Sequence, residues 1–324
     1  MNAVELFFDQ SLKHPTKMAL WIPGQKAVSF AQLRQLGIEA RNQFQKQGMM
    51  AGDYLVLADQ LSPRSYAAII GALSLGTCVV FIEPWMPPSR INAILEKLRP
   101  RHIATGFLTR LFLLRASGLR QIPIRHWLNP IWRYKHFGIA PTEEPDQKLF
   151  DQVDGSYPAI LTFTSGTTGQ PKGVLRQHEY LLHQHKAIEK NLDHGEGADI
   201  CIFANFVLLN LASGRSTILI PSQWKNLKKI SQIDLSPTSL TCGPAFLRKL
   251  MVENPVSSLR HVHVGGALTD TKLFEAAFKQ WPHTYFTHVY GSSEAEPVCF
   301  SDAKKAVEMS KNKNFFQTLF IGKP

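Results

Sequence analysis

The sequence predicts an α/β fold of mostly parallel sheets, divided into two stacked subdomains. Three observations carry that expectation. Apolar runs of strand length alternate with amphipathic runs of helix length, separated by glycine and proline. The alternation stops at a polar, acidic stretch, residues 141–155, and then starts again. The 324 residues, 44% hydrophobic and 19% charged, suffice for one large core or two joined ones. The expected organisation is a first α/β subdomain over 1–140, a linker over 141–155 and a second subdomain over 156–324.

Taken in order, Met18–Ile22 and Val28–Phe30 read as short strands around a Pro23-Gly24 turn. An amphipathic helix follows from Ala31 to Gln47 and ends at Gly48. Gly52-Asp53 turns into the strand Tyr54–Ala58. Ser62 is placed to cap a helix with Pro63 at its first position, running to Leu75. Thr77–Ile82 is the next strand. The whole run Tyr66–Ile82 is apolar, but Gly71, Gly76 and Thr77 break it, so it reads as buried helix then strand. Ile91, Ile94, Leu95 and Leu98 then share one helix face, closed by Pro100.

After the linker, a helix is expected from His178 to Leu192. Strands are expected at Cys201–Ala204, Ser216–Ile220, Arg260–Val264 and Thr284–Val289. Helices are expected at Pro244–Val252 and Thr271–Gln280. The second half thus repeats the architecture of the first, without a sequence repeat.

Net charge is +11. That balance admits nucleic acid, a membrane surface or an anionic substrate, although a solvated basic surface is the commoner cause. No nucleic-acid-binding signature is present, so no nucleic-acid partner is expected. The basic residues concentrate between Arg99 and Phe137, interleaved with Phe107, Leu111, Phe112, Leu113, Leu114, Trp127 and Trp132. Such a segment suits weak contact with an anionic membrane surface or a lipid-like substrate. The blander reading, a core-packed helix with a basic outer face, is favoured.

Cys78, Cys201, Cys242 and Cys299 are far apart and form no CxxC pair. With no signal-peptide pattern at Met1–Glu5, a reducing, cytoplasmic location is expected. His178, His183 and His185 on one helix, and His261 and His263 on one strand, suggest packing rather than metal ligation. No Ser-His-Asp arrangement is recognisable.

Three segments carry chemistry. Leu161–Gly173 is an apolar strand followed by a loop of hydroxyls and glycines ending in Lys172. Backbone N–H groups freed by glycine, hydroxyl donors and one lysine together make a polyphosphate cradle. It is not a Walker A loop, because Pro171 precedes Lys172 and Gly173 follows it. Gly265-Gly266-Ala267 ends one strand, where a flat ring could lie on bare backbone. Tyr290-Gly291-Ser292-Ser293-Glu294 ends another, offering a stacking ring, hydroxyls and a carboxylate suited to Mg²⁺.

Together these segments resemble, in order, the motifs of the adenylate-forming (AMP-binding) superfamily: acyl-CoA synthetases, peptide-synthetase adenylation domains and luciferases. His14-Pro15, Val28-Ser29-Phe30, Gly71–Pro84 and Pro88–Pro100 are also similar to the family pattern. The resemblance implies an AMP-forming acid ligase that uses ATP and Mg²⁺ to convert a carboxylic acid to an acyl-adenylate. It implies that Thr164, Ser165, Gly166, Thr167, Thr168, Gly169 and Lys172 hold the β- and γ-phosphates. Tyr290 would stack on adenine beside Gly265, Gly266 and Ala267, and Gly291 and Ser292 are further implied cofactor-binding residues. Ser293 would contact the α-phosphate or carboxylate, and Glu294 would bind Mg²⁺. Lys172, Ser293 and Glu294 are the implied catalytic set.

There are departures. Ser293 stands where the family usually has threonine. After Cys201 the chain reads Ile-Phe-Ala-Asn-Phe-Val-Leu-Leu-Asn-Leu-Ala-Ser-Gly, without the aromatic-His pair of many CoA ligases. This, with Glu-Ala-Glu-Pro-Val after Ser293, looks more like the olefin β-lactone synthetases, which implies fatty acid metabolism and a fatty or β-hydroxy fatty acid substrate. Coenzyme A is the second substrate only in the CoA-ligase alternative. The chain ends at Ile321-Gly322-Lys323-Pro324, where the family continues into a C-terminal lid domain bearing a catalytic lysine. The expectation is that the lid is absent, the chain being either a fragment or truncated product or one whose lid another chain supplies. The competing class is a catalytically incomplete nucleotide-binding module.

Overall fold

The computed structural model describes residues 1–82, 86–106, 109–114, 116–128, 149–164, 172–220, 230, 236–253 and 256–312. The strands are β1 (Met18–Trp21), β2 (Val28–Ser29), β3 (Tyr54–Leu57), β4 (Cys78–Phe81), β5 (His102–Gly106), β6 (Ile124–Leu128), β7 (Pro158–Thr164), β8 (Lys172–Gln177), β9 (Ala198–Cys201), β10 (Thr217–Leu219), β11 (Pro237–Cys242), β12 (His261–Gly265), β13 (Tyr285–Ser292) and β14 (Ala295–Asp302). The helices are α1 (Glu5–Lys13), α2 (Phe30–Lys46), α3 (Pro63–Ser74), α4 (Pro88–Leu98), α5 (Ser117–Gln121), α6 (His178–Asn191), α7 (Ala204–Ala212), α8 (Pro244–Glu253), α9 (Thr271–Gln280) and α10 (Ala303–Asn312), with a 3-10 helix at Thr109–Leu114.

The chain forms two compact units. One holds Met1–Lys17 and Val28–His183, the other Met18–Ala27 and Gln184–Pro324. Residues 158–183 belong to the first unit, because β7 pairs in parallel with β4. Of the stretch expected as a linker, 141–148 lie outside the described residues.

The first unit's sheet runs β6-β5-β3-β4-β7-β8. It is parallel up to β7, and β8 closes it antiparallel. Local chemistry sets its helices. Ser29 Oγ accepts from the Gln32 N–H and the Gln32 amide oxygen accepts from the Ser29 N–H, a reciprocal cap for α2. Ser62 caps α3 as expected, accepting from the Ser65 N–H with Pro63 in the first turn. On one sheet face, Ile91, Ile94 and Leu95 of α4 and Leu119 of α5 pack against Val56, Val80 and Ile103. The basic segment after Arg99 is not one amphipathic helix. Its described part, up to Leu128, contains strands β5 and β6, whose His102 and His126 are buried, with His102 Nδ1 3.1 Å from His126 Nε2.

The second unit's sheet runs β14-β13-β12-β11-β9-β10-β1. Again it is parallel until an antiparallel edge strand, β14, closes it. Its core includes Ile200, Leu240, Val262, Phe246, Phe274 and Phe286. Among the described residues no helix is long and apolar enough to cross a membrane.

Candidate functional site

In a parallel sheet every strand delivers its carboxyl end to the same edge, so loops from different parts of the chain meet there. In the second unit β12 and β13 run in register, with Gly265 opposite Val289. Gly266-Ala267 therefore leaves the sheet beside Tyr290-Gly291 of β13. A Cβ built on Gly265 would lie 2.6 Å from the Val289 carbonyl oxygen, so no side chain fits there. Gly266 has φ +76°, and a Cβ on it would meet the Phe203 ring at 3.1 Å. Phe203 comes from the end of β9, and Gly243 from the end of β11 lies near it. The result is a shelf of bare backbone backed by an aromatic ring. Ala267, Leu268 and Tyr290 stand exposed at its rim. Such a surface suits a flat, partly apolar ring.

The motif at Tyr290 does not simply follow a strand ending at Val289. β13 continues through Ser292, because β14 pairs with it, with Tyr290 opposite Cys299 and Ser292 opposite Ala295. Ser293 and Glu294 are then the two residues of a hairpin turn. Glu294 is exposed and Ser293 half-buried. The register breaks at Gly291, where a Cβ would lie 3.0 Å from the Ala295 carbonyl oxygen. The Ala295 N–H donates to Ser292 Oγ at 3.3 Å and steadies the turn.

The third motif lies in the first unit, where its flanking strands β7 and β8 pair antiparallel. Thr164 pairs with Lys172 at its neck. Lys172 is exposed. Ser165, Gly166, Thr167, Thr168 and Gly169 lie outside the described residues, as does the Thr164 side chain. Below the neck the buried Arg176 donates to Thr162 Oγ1 at 2.9 Å, locking β8 to β7.

Phe203 was not foreseen as part of the shelf. Its signal was only its place just after a strand of a parallel sheet.

At the opposite, amino-terminal ends of the second unit's strands lies a polar cluster. Asp199 of β9 is buried. It accepts from Asn210 Nδ2 at 2.8 Å, Ser239 Oγ at 2.8 Å and Thr241 Oγ1 at 3.2 Å. His194 Nδ1 stands 3.7 Å from Asp199 Oδ1, an electrostatic neighbour rather than a hydrogen bond. Burial alone would raise the Asp199 pKa. The stabilising His194, Asn210 and Ser239 outweigh it and hold the carboxyl below its ordinary value. His263 Nε2 donates to the Asp193 carbonyl oxygen at 2.9 Å, and His261 lies 3.7 Å from the Asp193 carboxylate. Among the described residues no group of three or more His, Cys, Asp or Glu is placed to hold a metal. The four cysteines are buried thiols, and burial pushes Cys78 up to about 12.

The buried histidines make a prediction. Burial, then His102, pushes His126 down to about 4, and burial, then the N-terminal ammonium, does the same for His178. Burial takes His288 to about 4, and burial with His194 takes His263 to about 3. The unfolded chain protonates these rings near 6.5, so it binds more protons than the fold below that pH. Stability present above the unfolded value is therefore lost as pH falls toward 4, at up to ~1.4 kcal/mol per pH unit for each ring. Urea midpoints should fall steadily between about pH 7 and about pH 5; a flat profile would contradict neutral burial.

Comparison with known proteins follows the same lines. The family model described as AMP-binding enzyme matches residues 7–315. The chain is 25% identical over 337 residues to a plipastatin synthase of Bacillus subtilis, covering 97% of this chain and 12% of that protein. It is 25% identical over 261 residues to the D-alanine–D-alanyl carrier protein ligase of Staphylococcus haemolyticus, covering 74% and 50%. The chain thus spans half or less of these relatives. In fold it is similar to the luciferase-like enzyme of the nonluminescent Zophobas morio mealworm, with a TM-score of 0.78 at 19% identity, covering 96% of this chain and 77% of that one.

Proposed function

This chain belongs to the AMP-binding enzyme family, and from that premise we propose that it activates a carboxylic acid with ATP. In this reaction a carboxylate oxygen attacks the α-phosphorus. The P–O bond to the β-phosphate breaks, and pyrophosphate leaves with the electron pair. The observation that carries the reading is the strand-end shelf: Gly265 and Gly266 leave bare backbone beside the half-exposed Tyr290 ring. Adenine lies on that shelf, with Gly291 and Ser292 as its neighbours on the chain. Thr164, Ser165, Gly166, Thr167, Thr168, Gly169 and Lys172 are assigned to the β- and γ-phosphates. Lys172 supplies the charge that stabilises the departing pyrophosphate. Ser293 donates to the α-phosphate or the carboxylate.

Glu294 fits Mg²⁺: it is an exposed carboxylate on a tight turn, and Mg²⁺ typically takes one or two carboxylates together with phosphates and waters. When bound, the ion neutralises phosphate charge. The substrate class proposed is a fatty or β-hydroxy fatty acid. Coenzyme A would be the second substrate if the chain is a CoA ligase, and would have no role if it is a β-lactone synthetase.

ATP–pyrophosphate exchange tests the reading, run with fatty and β-hydroxy fatty acids, and with product analysis with and without coenzyme A. Lys172→Ala should lower exchange by about 10²-fold or more, the scale of losing one preorganised charge partner. Tyr290→Ala should raise the KM for ATP by about tenfold with little change in kcat, as expected for a lost base–aromatic stack. Saturable ATP binding without exchange for any acid would instead identify a nucleotide-binding module.

A further inference from the structure

Between residues 99 and 142 the sequence has eight Arg or Lys and no Asp or Glu. The structure gathers part of this stretch on one face of the first unit. Ile103 of β5 points into the core shared with α4 and α5. Its parallel register partner is Arg125 of β6, and Thr105 pairs with Trp127. Arg125 and Trp127 therefore project on that same face, while His126 between them turns the other way, onto the Phe44 ring of α2. Among the described residues β6 is the edge strand and nothing covers this face there, and Trp127 is 47% exposed.

The 3-10 helix adds to it. Side chains three apart eclipse in such a helix. Leu111 and Leu114 therefore point together, and they are 66% and 63% exposed, while Leu113 turns into the core. Arg125 donates to the Arg120 carbonyl of α5 at 2.8 Å, so Arg120, Arg125 and Trp127 lie close together. Beside α5 opens a cleft of about 550 Å³ whose polar lining includes Asn92, Glu96, Arg99, Arg101 and Gln121. Arg99, Arg101, Arg120 and Arg125 are all exposed, and Glu96 is the acid facing them in the cleft.

A merely solvated face does not need two paired leucines and a tryptophan in water among arginines. We propose that this face docks on an anionic lipid surface. Leu111, Leu114 and Trp127 enter the headgroup layer, and Arg99, Arg101, Arg120 and Arg125 meet lipid phosphates. Aromatic and aliphatic side chains ringed by arginine are the pattern that holds a protein on such a surface without spanning it. Charge complementarity selects the lipid: the patch is basic, and the 99–142 stretch around it carries no acid. The inference is independent of the proposed acid activation.

The test is co-sedimentation of the full chain with phosphatidylcholine vesicles and with vesicles that also contain phosphatidylglycerol. Binding is expected to the mixed vesicles only, and to fall about tenfold from low to high salt. Arg120→Glu with Arg125→Glu should lose about tenfold or more in partitioning. Leu111→Glu with Leu114→Glu should lose as much. Lys186→Glu with Lys190→Glu, the same charge change on α6, should retain binding. Thermal midpoints confirm that each variant folds. Quenching of tryptophan emission by lipids brominated on their acyl chains, lost in Trp127→Phe, gives a readout that needs no charge reversal. Absence of binding to mixed vesicles overturns the proposal. So does equal loss in the α6 control, or an oligonucleotide that binds through these side chains when vesicles do not.

Discussion

Asp199→Ala is expected to lower the unfolding free energy by ~3–5 kcal/mol, the range for breaking a buried, fully partnered charge. The carboxylate accepts three side-chain hydrogen bonds in a buried setting, and its removal leaves Asn210, Ser239 and Thr241 with less to donate to. Each buried donor left without a partner costs ~1–3 kcal/mol. The thermal midpoint should fall by roughly 4–7 °C at this size. Ser239→Ala removes a single bond and should cost ~1 kcal/mol. If Asp199→Ala costs no more than Ser239→Ala, the cluster is not an anchor of the sheet. Calorimetry or denaturant unfolding of the three proteins decides.

Gly265→Ala is expected to damage the strand-end shelf although it adds only one methyl group. The new Cβ would sit 2.6 Å from the Val289 carbonyl oxygen and 3.2 Å from the Val289 Cβ. The nearest obstacle is backbone, so β12 and β13 must part where Ala267 and Tyr290 emerge. Overpacking of this kind costs ~1–3 kcal/mol in stability. The proposed adenine contacts depend on that spacing, so the KM for ATP should rise about tenfold or more, since each 1.4 kcal/mol of lost binding is tenfold. Gly243→Ala supplies the contrast at the end of the next strand. Its Cβ would meet nothing closer than the Gly265 carbonyl oxygen at 3.7 Å and the Phe203 ring at 3.9 Å, ordinary contacts. It should therefore behave nearly as wild type. Equal effects from the two alanines would show that close strand approach is not what keeps Gly265.

The main frame of this fold was legible in the residues. The Ser62-Pro63 cap, the α2 span and the strands Tyr54–Ala58 and Thr77–Ile82 follow from local signals, and the structure places them within a residue or two. What escaped did so for physical reasons. β11 reads Pro-Thr-Ser-Leu-Thr-Cys, too polar for a buried strand, because Ser239 and Thr241 are satisfied by a carboxylate forty residues away in the chain. α7 is apolar apart from Asn205 and Asn210, and a largely buried helix of nine residues has no periodicity to separate it from a strand. β14 is a partly exposed edge strand containing Pro297, where alternation is weak. Of the proposed site, the three motifs stand out in the sequence because glycine and hydroxyl clustering is local. Phe203 was not, because its contact with Gly266 exists only once β9 and β12 lie in one sheet.

Lys172 and the Ser293-Glu294 turn sit on antiparallel strand pairs, β7 with β8 and β13 with β14, whose second strands form the outer edges of otherwise parallel sheets. In a hairpin, the pairing register decides where the turn residues sit, and a slip of one residue sends every side chain to the other face. The turn itself tolerates many sequences, but the count of residues between it and the sheet is fixed. A graft that moves only the short motif into another protein of this architecture should therefore fail. A graft that carries β13 through β14, or β7 through β8, should keep its carboxylate or its lysine in place. The transferable part is the whole ribbon, and its length is as much a part of the site as Lys172 or Glu294.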